Sequence, residues 1–405
     1  MRRHLIIGAG NAGLSAARTL ARLSPDDSIE VISSEPWPAY CRCLLTYFLE
    51  GEVDKQRLFS WGEKIIRENR LNFHAAKTVL NIDLQKKTVD FAAGKSMSAD
   101  TILIATGGEP KKPAFPGADL PGIFTLRNFN DALAMQKFMR PGGRWAIVGA
   151  GLVGLKSLAA LRQKSISVEL FAASERILSQ VLDKTASELA AAQLTANQVK
   201  INLLEEITEV SQTGKQRLCL TTSKGRELVV DGLLYGKGVD ASSPVAVDNW
   251  GAETGFPPVS LTKAGAGADG LEVNRNLAIC EDIYAAGDVA RAYDLILQKA
   301  NRISLWPTAG EQGIIAGYNM AGHQRTYNGG INCNSFSLFG LDFISAGFKE
   351  IPQDNDEWQQ KKTFAEGNYC CLNFYRKKLK GFILAGPEII LKAGPLLAEI
   401  KRNSL

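Results

Sequence analysis

The sequence predicts an α/β protein with two parallel-sheet units and a C-terminal α+β domain. Two glycine-rich turns, Gly8–Gly13 and Gly149–Gly154, each follow a short apolar run and precede a segment with helical periodicity. From about residue 323, apolar and polar residues alternate as they do in antiparallel strands. The chain has 405 residues, which is too many for one compact core and suits two or three domains.

The first glycine turn has the spacing of a dinucleotide-binding fingerprint. A predicted strand, Leu5–Ile7, leads into Gly8, Gly10 and Gly13, and a predicted helix follows. In such a turn the first glycine makes the bend, the second lets a pyrophosphate approach the backbone, and the third lets the helix pack on the strand. The helix N-terminus then offers N–H groups to the phosphates. The alternative is a glycine turn in an unrelated α/β protein.

A carboxylate that binds ribose is expected at the end of the strand after such a turn. Glu35 follows the predicted strand Ile29–Ile32 and stands about 20 residues after Gly13. We therefore predict that Glu35 binds a ribose. A solvated loop carboxylate is the alternative.

The second glycine turn has the same spacing, but no ribose-binding carboxylate follows it at the expected place. Gly149, Gly151 and Gly154 lie between a predicted strand and a predicted helix. The next predicted strand, Val168–Phe171, runs into Ala172, Ala173 and Ser174, where no acid stands. Glu169 lies inside this strand, and Glu175 comes a little late. Arg176 could accommodate a 2′-phosphate, which leaves the choice of nucleotide open. The two turns together predict two Rossmann-like dinucleotide-binding domains.

Composition excludes several other classes of protein. Apolar residues make up 45% and charged residues 22% of the chain, as in ordinary globular enzymes. The net charge is +5 without a basic stripe, so nucleic-acid binding is not indicated. No apolar run is long enough to span a membrane. Seven cysteines without a Cys-x-x-Cys pair indicate neither zinc nor a cysteine-ligated cluster, and they suit the cytoplasm.

Proline and glycine turns and changes of periodicity predict the domain boundaries. We expect a discontinuous first dinucleotide-binding domain from residues 1–111 and 237–322. Residues 112–236 are expected to form the second dinucleotide-binding domain, and residues 323–405 the α+β domain at an interface.

The order of four motifs resembles the pyridine nucleotide–disulphide oxidoreductases. The motifs are the two glycine fingerprints, Ala105-Thr106-Gly107 with Pro116-Gly117 downstream, and Ala285-Ala286-Gly287-Asp288. The resemblance implies that the first fingerprint holds FAD, that the second holds NAD(P)H, and that Asp288 is a flavin ligand. A helix-capping role is the alternative for Asp288.

Shorter and less specific motifs resemble the branch of this family that contains rubredoxin and ferredoxin reductases and nitrite reductase large subunits. They also resemble NADH-oxidising subunits of the phenylglyoxylate dehydrogenase type. They are Tyr40-x-Arg42, Trp306-Pro307 and Asn334-Ser335-Phe336. The FAD contacts so implied are Gly8, Gly10, Ala12, Gly13, Glu35, Arg42, Val79, Ala105, Thr106, Gly107, Asp288, Trp306 and Pro307. The implied NAD(P) contacts are Gly149, Gly151, Val153 and Gly154. We expect NAD(H) rather than NADP(H).

Two residues are candidates for a direct part in the chemistry. Cys43 resembles the single redox cysteine of NADH oxidases and coenzyme A disulphide reductases, although a small cysteine that fills space near FAD is the alternative. Lys156 stands where the family often has a glutamate near the nicotinamide. It is expected to contact nicotinamide or a partner, or to be a solvated helix residue.

The motifs predict an FAD-containing NAD(P)H oxidoreductase that passes electrons to a rubredoxin, a ferredoxin or an iron–sulphur subunit. Two other functions stay open. One is an NADH oxidase or disulphide reductase that uses Cys43, and the other is a non-catalytic FAD-binding subunit. A homodimer and a subunit of a hetero-oligomer are both compatible with the sequence.

Overall fold

The structure is a computed structural model that describes residues 1–214, 217–242, 270–352, 354–388 and 390–405. Residues 243–269, which belong to the predicted FAD-binding domain, lie outside the described residues. No helix within the described ranges is both long and apolar enough to cross a membrane. The α-helices of these ranges are α1 (Asn11–Leu23), α2 (Leu45–Glu50), α3 (Lys55–Glu68), α4 (Phe129–Phe138), α5 (Leu152–Gln163), α6 (Lys184–Ala196), α7 (Trp306–Met320) and α8 (Ile390–Ser404), and a short 3₁₀ helix covers Arg42–Leu44.

Short strands make up most of the remaining regular structure. Those of the first half are β1 (Arg3–Ile7), β2 (Ser28–Ile32), β3 (Asn72–His74), β4 (Val79–Asp83), β5 (Thr88–Phe91), β6 (Ser96–Ser98), β7 (Thr101–Ile104), β8 (Gly108–Pro110), β9 (Ile123–Phe124), β10 (Arg144–Val148), β11 (Ser167–Ala172) and β12 (Lys200–Leu203). Those of the second half are β13 (Ile207–Thr213), β14 (Arg217–Thr222), β15 (Glu227–Val230), β16 (Gly232–Tyr235), β17 (Val239–Ala241), β18 (Leu271–Glu272), β19 (Ala278–Cys280), β20 (Ile283–Ala285), β21 (Ala290–Asp294), β22 (Lys299–Asn301), β23 (Cys333–Leu338), β24 (Leu341–Gly347), β25 (Trp358–Ala365), β26 (Asn368–Tyr375) and β27 (Lys378–Ala385).

The described residues form two compact units. Unit 1 contains Met1–Cys43, Asp54–Glu109 and the described part of Asp240–Ile331. Unit 2 contains Leu44–Val53, the described part of Pro110–Val239 and that of Asn332–Leu405. The C-terminal segment, Asn332–Leu405, therefore belongs to the same unit as the second glycine turn.

Unit 1 is centred on a six-stranded sheet with the order β19-β20-β7-β1-β2-β3. All neighbours from β20 to β3 are parallel, and Ile7 of β1 lies between Ile32 and Ile104. These central strands are almost wholly buried, as their continuous apolar runs predict for a parallel sheet. The antiparallel meander β4-β5-β6 and the small sheet β18-β21-β22 also belong to this unit.

Unit 2 contains a five-stranded parallel sheet with the order β12-β11-β10-β16-β9. It also contains the antiparallel sheet β13-β14-β15 and the C-terminal antiparallel sheet β23-β24-β27-β26-β25. The predicted α/β fold class is confirmed. Each unit contains a mainly parallel sheet, in which a glycine turn follows a central strand, β1 in unit 1 and β10 in unit 2. The last helix, α8, begins at Ile390 and includes Pro395 in its interior.

Candidate functional site

The three glycines of the first turn lie in different surroundings. A Cβ added to Gly8, whose φ is +116°, would lie 2.1 Å from the Ala105 carbonyl oxygen. A Cβ on Gly13 would lie 1.9 Å from the Gly8 carbonyl oxygen. A Cβ on Gly10 would meet nothing within 4 Å. Gly8 and Gly13 are therefore required by the packing of the turn, whereas Gly10 faces open space at the start of α1.

The second turn repeats these surroundings in unit 2. Cβ atoms on Gly149 and Gly154 would lie 2.4 Å from the Gly236 oxygen and 2.2 Å from the Gly149 oxygen, respectively. A Cβ on Gly151 would meet nothing within 4 Å. Val153, in the first turn of α5, is 45% exposed. Both glycine fingerprints thus form the same turn, with the middle glycine open to a ligand.

Helix N-termini in the two units fall into two groups. Helices α3, α4 and α6 are each preceded by a polar N-cap residue, Asp54, Asn128 and Asp183, whose side chain accepts a hydrogen bond from the first turn. Helices α1, α5 and α7, and the short α2, have no side-chain cap and no acidic residue in the first turn. Uncapped N–H groups and the positive end of the helix dipole favour an anion. The two helices that follow the fingerprints are therefore suited to phosphate.

Unit 1 brings most of the predicted FAD contacts to the carboxyl edge of its sheet. Ala105, Thr106 and Gly107 follow β7, and Asp288 follows β20 as a half-buried residue. Both strands end beside the Gly8 turn, since the Ala105 N–H donates to the Ile7 carbonyl and the Ala286 N–H to the Ile104 carbonyl.

The start of α7, with Trp306 and Pro307, lies against the first fingerprint. The Asn11 side-chain amide donates to the Trp306 carbonyl at 2.6 Å. Cβ atoms on Gly310 and Gly313 would meet Asn11 and Ala12 at 2.7 and 2.1 Å, so glycine allows α7 to approach α1 closely. The Gln312 side chain accepts from the Gly287 N–H at 2.8 Å.

The Glu35 carboxylate accepts hydrogen bonds from two neighbouring side chains. One of its carboxylate oxygens accepts from the Arg42 guanidinium at 2.5 Å, and the other accepts from the Tyr40 hydroxyl at 2.7 Å. Burial opposes the charge on Arg42, but Tyr40 and Glu35 outweigh it and raise the pKa of Arg42. Each Glu35 oxygen keeps a further lone pair for a ligand hydroxyl. Val79 is instead buried in the core of unit 1, so that any ligand contact would come from its main chain.

The end of β11, where the second acid was expected, is surrounded by paired charges. Glu169 is buried within the strand and bound by three cations, Arg144, Lys200 and Arg226. Burial acts to raise the pKa of Glu169, and these cations outweigh it, so that the pKa is lowered. Glu175 is exposed.

Lys156 lies half-buried in unit 2, where its ammonium is 5.8 Å from the centre of the Tyr47 ring. It lines a cavity of about 550 Å³ together with residues that include Glu50 and Glu52. Burial and Glu52 raise the pKa of Glu50, whereas Lys156 acts in the opposite direction. The role of Lys156 toward nicotinamide or a partner stays a prediction.

Cys43 is exposed, and it lies in the 3₁₀ helix Arg42–Leu44 directly before α2. All seven cysteines lie in the described ranges, and none forms a disulfide there. A thiol at this position is accessible to small reagents.

Three residues of these sites were not anticipated from the sequence: Asn11, Gln312 and Gly236. Asn11 and Gln312 carry no signal of their own, since their contacts join distant parts of the chain. Gly236 could have been found, because it directly follows a strand, β16, and is one of two glycines at that strand end, Gly236 and Gly238, much as Gly107 follows the strand before Ala105.

Comparison with known proteins decides the family. Residues 2–313 match the family described as pyridine nucleotide-disulphide oxidoreductase. The chain belongs to this family. It is accordingly an oxidoreductase, and the family depends on FAD and a pyridine nucleotide.

Relatives within the pyridine nucleotide-disulphide oxidoreductases include enzymes with different acceptors. A CoA-dependent NAD(P)H sulfur oxidoreductase of Pyrococcus furiosus is 26% identical, over 90% of this chain and 80% of the relative. An NADH oxidase of Methanocaldococcus jannaschii is 29% identical, over 86% and 78%. The epsilon subunit of an NADH-dependent phenylglyoxylate dehydrogenase of Aromatoleum evansii is 25% identical, over 87% and 81%.

Solved structures share the fold. A NAD-dependent persulfide reductase from A. fulgidus has a TM-score of 0.85 at 22% identity, over 100% of this chain and 77% of the other. The covalent putidaredoxin reductase–putidaredoxin complex has a TM-score of 0.86 at 16% identity, over 99% and 93%.

The residues present fit the cofactors of the family. Gly10 and Gly151 each leave open space at the N-terminus of an uncapped helix, where a side chain would stand in most helices. Such a position can receive a pyrophosphate without steric conflict.

Proposed function

We propose that this protein takes electrons from NADH at the Gly149–Gly154 turn, uses FAD held at the Gly8–Gly13 turn, and passes them to an iron–sulphur or rubredoxin-type protein. The observation that carries the proposal is the duplicated turn, with an open middle glycine before an uncapped helix in each unit. The similarity to a phenylglyoxylate dehydrogenase subunit and to the reductase of the putidaredoxin complex supports a protein acceptor.

The side chains act by binding and orientation in this proposal. FAD, when bound, supplies the conversion between two-electron and one-electron transfer. Glu35, held by Arg42 and Tyr40, would accept from the ribose, and the starts of α1 and α7 would face anionic groups. Asp288 would bind the flavin side chain, and Lys156 would face the nicotinamide or the partner. Hydride transfer itself requires no acid or base from the chain.

Charge pairing at the end of β11 supports NADH over NADPH. Glu205 pairs with Arg226, Glu206 with Lys237, and Arg176 with Glu350. Because each of these cations is already paired, none is left as a dedicated partner for a 2′-phosphate.

The test is anaerobic stopped-flow reduction of the FAD-loaded protein by NADH and by NADPH. We expect bleaching of the flavin absorbance, faster at equal concentration with NADH. Gly151→Ala should slow the reduction and weaken nucleotide binding while it leaves FAD bound. Gly394→Ala is a matched control, since a Cβ there also meets nothing within 4 Å but the residue lies in α8.

Flavin that stays oxidised with both nucleotides would overturn the proposal. Tight FAD without any NAD(P)H binding would then support a non-catalytic FAD-binding subunit. A purified ferredoxin or rubredoxin that accepts electrons in the same assay would support the protein acceptor.

The exposure of Cys43 favours a second candidate function, in which this thiol reduces disulphide or persulphide substrates at the expense of NADH. The similarity to a CoA-dependent sulfur oxidoreductase and the fold shared with a persulfide reductase agree with this candidate. Cys43→Ser should then abolish turnover with disulphide acceptors, while the half-buried Cys41→Ser serves as control. Full turnover of Cys43→Ser with every acceptor would exclude this role.

A further inference from the structure

The loop after β11 contains Arg176, which forms an ion pair with a residue of unit 2 that is distant in the sequence. Arg176 stands four residues past Ala172, the last residue of β11. Its Nη2 donates to Glu350 at 2.6 Å, and the two residues are separated by 174 positions in the chain. Glu350 follows β24 in the C-terminal segment. The C-terminal segment therefore reaches the loop in which a nucleotide ribose would be recognised.

The remaining contacts of Arg176 fix its place in the loop. The Ser174 hydroxyl donates to the Arg176 carbonyl at 2.8 Å, and Nη2 reaches the Ser179 carbonyl at 3.4 Å. Its Nε is buried, and no described residue accepts a hydrogen bond from this Nε donor. Among the ion pairs of the described residues, the carboxylate that pairs with Arg176 is that of Glu350.

A 2′-phosphate and the Glu350 carboxylate would compete for the same guanidinium. An arginine near the ribose accommodates the 2′-phosphate in NADP-binding turns of this type. With Glu350 in contact, a phosphate at Arg176 would have to displace the carboxylate or to lie beside it, and both cost binding free energy. Ribose hydroxyls carry no charge and are not repelled in this way.

We propose that Glu350 is a specificity-determining residue that disfavours NADP(H) by occupying Arg176. The proposal rests on the proposed function, in that it requires the second glycine turn to bind a pyridine nucleotide. It assigns nucleotide selection to a residue of the C-terminal segment, outside the two glycine fingerprints.

The pair is partly exposed, with 30% of the Arg176 and 55% of the Glu350 side chain accessible. Such a pair contributes little to folding stability, so its removal should leave the fold intact. Removal of the pair should have a larger effect on the binding of a 2′-phosphate, because the Arg176 guanidinium can pair with either the Glu350 carboxylate or the phosphate.

The experiment measures binding without hydride chemistry, by calorimetric titration of the FAD-loaded protein with ADP-ribose and 2′-phospho-ADP-ribose. The proteins are wild type, Glu350→Gln, Arg176→Ala and the double variant. The control is Glu357→Gln, which removes a carboxylate from another 2.6 Å surface pair, that with Arg376 in the same segment.

We expect Glu350→Gln to tighten the binding of 2′-phospho-ADP-ribose by about tenfold or more, the factor that corresponds to one charge-assisted hydrogen bond. The affinity for ADP-ribose should change by less than about twofold. Arg176→Ala in the Glu350→Gln background should cancel the gain, and Glu357→Gln should match wild type.

Two outcomes separate this inference from the proposed function. If ADP-ribose binds but Glu350→Gln leaves the ratio of the two affinities unchanged, the role of Glu350 is wrong and the proposed function stands. A wild type that already prefers the phosphorylated ligand also overturns the inference. If neither ligand binds, the nucleotide site itself is wrong.

Discussion

At the scale of single residues, the space around each α-carbon separates glycines that shape a turn from glycines that admit a ligand. The fingerprint spacing alone predicts both turns but treats their glycines as a set. The structure distinguishes Gly13, where a Cβ would overlap a carbonyl oxygen at 1.9 Å, from Gly10, where it would meet nothing. The same distinction holds for Gly154 and Gly151. Substitutions at these positions should therefore fail for different reasons.

Gly10→Ala and Gly13→Ala provide the first test of this distinction. Gly10→Ala should leave the thermal stability of the apoprotein almost unchanged and weaken FAD binding by about tenfold, because the methyl group occupies the space of the pyrophosphate. Gly13→Ala should lower the stability of the apoprotein by about 1–3 kcal/mol, because backbone must move. FAD titration and thermal unfolding of both apoproteins measure the two effects. Equal losses of stability would contradict the assignment.

His4 predicts a pH dependence of stability. It is fully buried, with Nδ1 2.7 Å from the Thr101 hydroxyl and Nε2 3.1 Å from Asp27. Burial lowers the pKa of His4 below 6.5, although Asp27 acts to raise it. The His4 imidazole therefore binds a proton more readily in the unfolded chain than in the folded chain. The free energy of unfolding thus falls as the pH drops through about 6.5.

Urea denaturation between pH 8 and 5.5 measures this dependence. His4→Gln should be less stable than wild type at pH 8, since a buried polar contact is lost, and should lose less stability on acidification. His323→Gln, at an exposed position, should keep the wild-type slope. A slope that His4→Gln leaves unchanged would show that other groups cause the acid sensitivity.

At the scale of secondary-structure elements, a buried carboxylate joins α6 to the C-terminal sheet within unit 2. Asp183 caps α6 by accepting from the Ala186 N–H at 3.0 Å. It also accepts from the Tyr369 hydroxyl of β26 at 2.5 Å and pairs with Lys362 of β25 at 3.1 Å. The cap has a local cause, because aspartate is a preferred residue directly before a helix. The Tyr369 contact has no local signal, since the two residues are 186 positions apart.

Tyr369→Phe removes one donor from this carboxylate and should lower the free energy of unfolding by about 1.5–3 kcal/mol, the range for a hydrogen bond to a charged group. Tyr375→Phe is the matched control, because its hydroxyl bonds Glu357 at the surface at 2.8 Å and should cost far less. Denaturant unfolding of both variants measures the difference. Equal losses of stability in the two variants would show that the buried Tyr369–Asp183 hydrogen bond contributes no more than the surface hydrogen bond between Tyr375 and Glu357.

The elements that the sequence predicts well are those with a local cause. Strands β1 and β10 are continuous apolar runs before a glycine turn, and α1 and α5 follow from the same turn. The short helix α2 and the exposed edge strand β25 have no comparable local signal. Helix α2 is held by packing on other helices of unit 2, as in the edge contact of Phe48 with Phe129 at 5.1 Å. Such packing depends on distant residues and is not visible in a single sequence.

At the scale of the whole molecule, the two glycine turns fall in different compact units. Gly8–Gly13 lies in unit 1 and Gly149–Gly154 in unit 2, and the chain passes between the units several times, as at Cys43 and Glu109. The order of the four motifs predicts such a discontinuous arrangement through resemblance. The assignment of three domains to particular residue ranges stays a prediction. Ligands for the two turns should accordingly protect different parts of the chain.

Hydrogen–deuterium exchange with and without ligands tests this last expectation. A ligand present at about 100 times its Kd stabilises the segments that must open to release it by about 2.7 kcal/mol, which slows their exchange about a hundredfold. FAD should most strongly protect peptides from Gly8–Gly13, from the turn at Asp288 and from the start of α7. ADP-ribose, added to the FAD-loaded protein, should most strongly protect Gly149–Gly154 and the loop that contains Arg176. ADP-ribose protection that is as strong at Gly8–Gly13 as at Gly149–Gly154 would contradict the assignment of one nucleotide to each unit. A ligand that protects neither turn would contradict the phosphate-binding role of the open glycines.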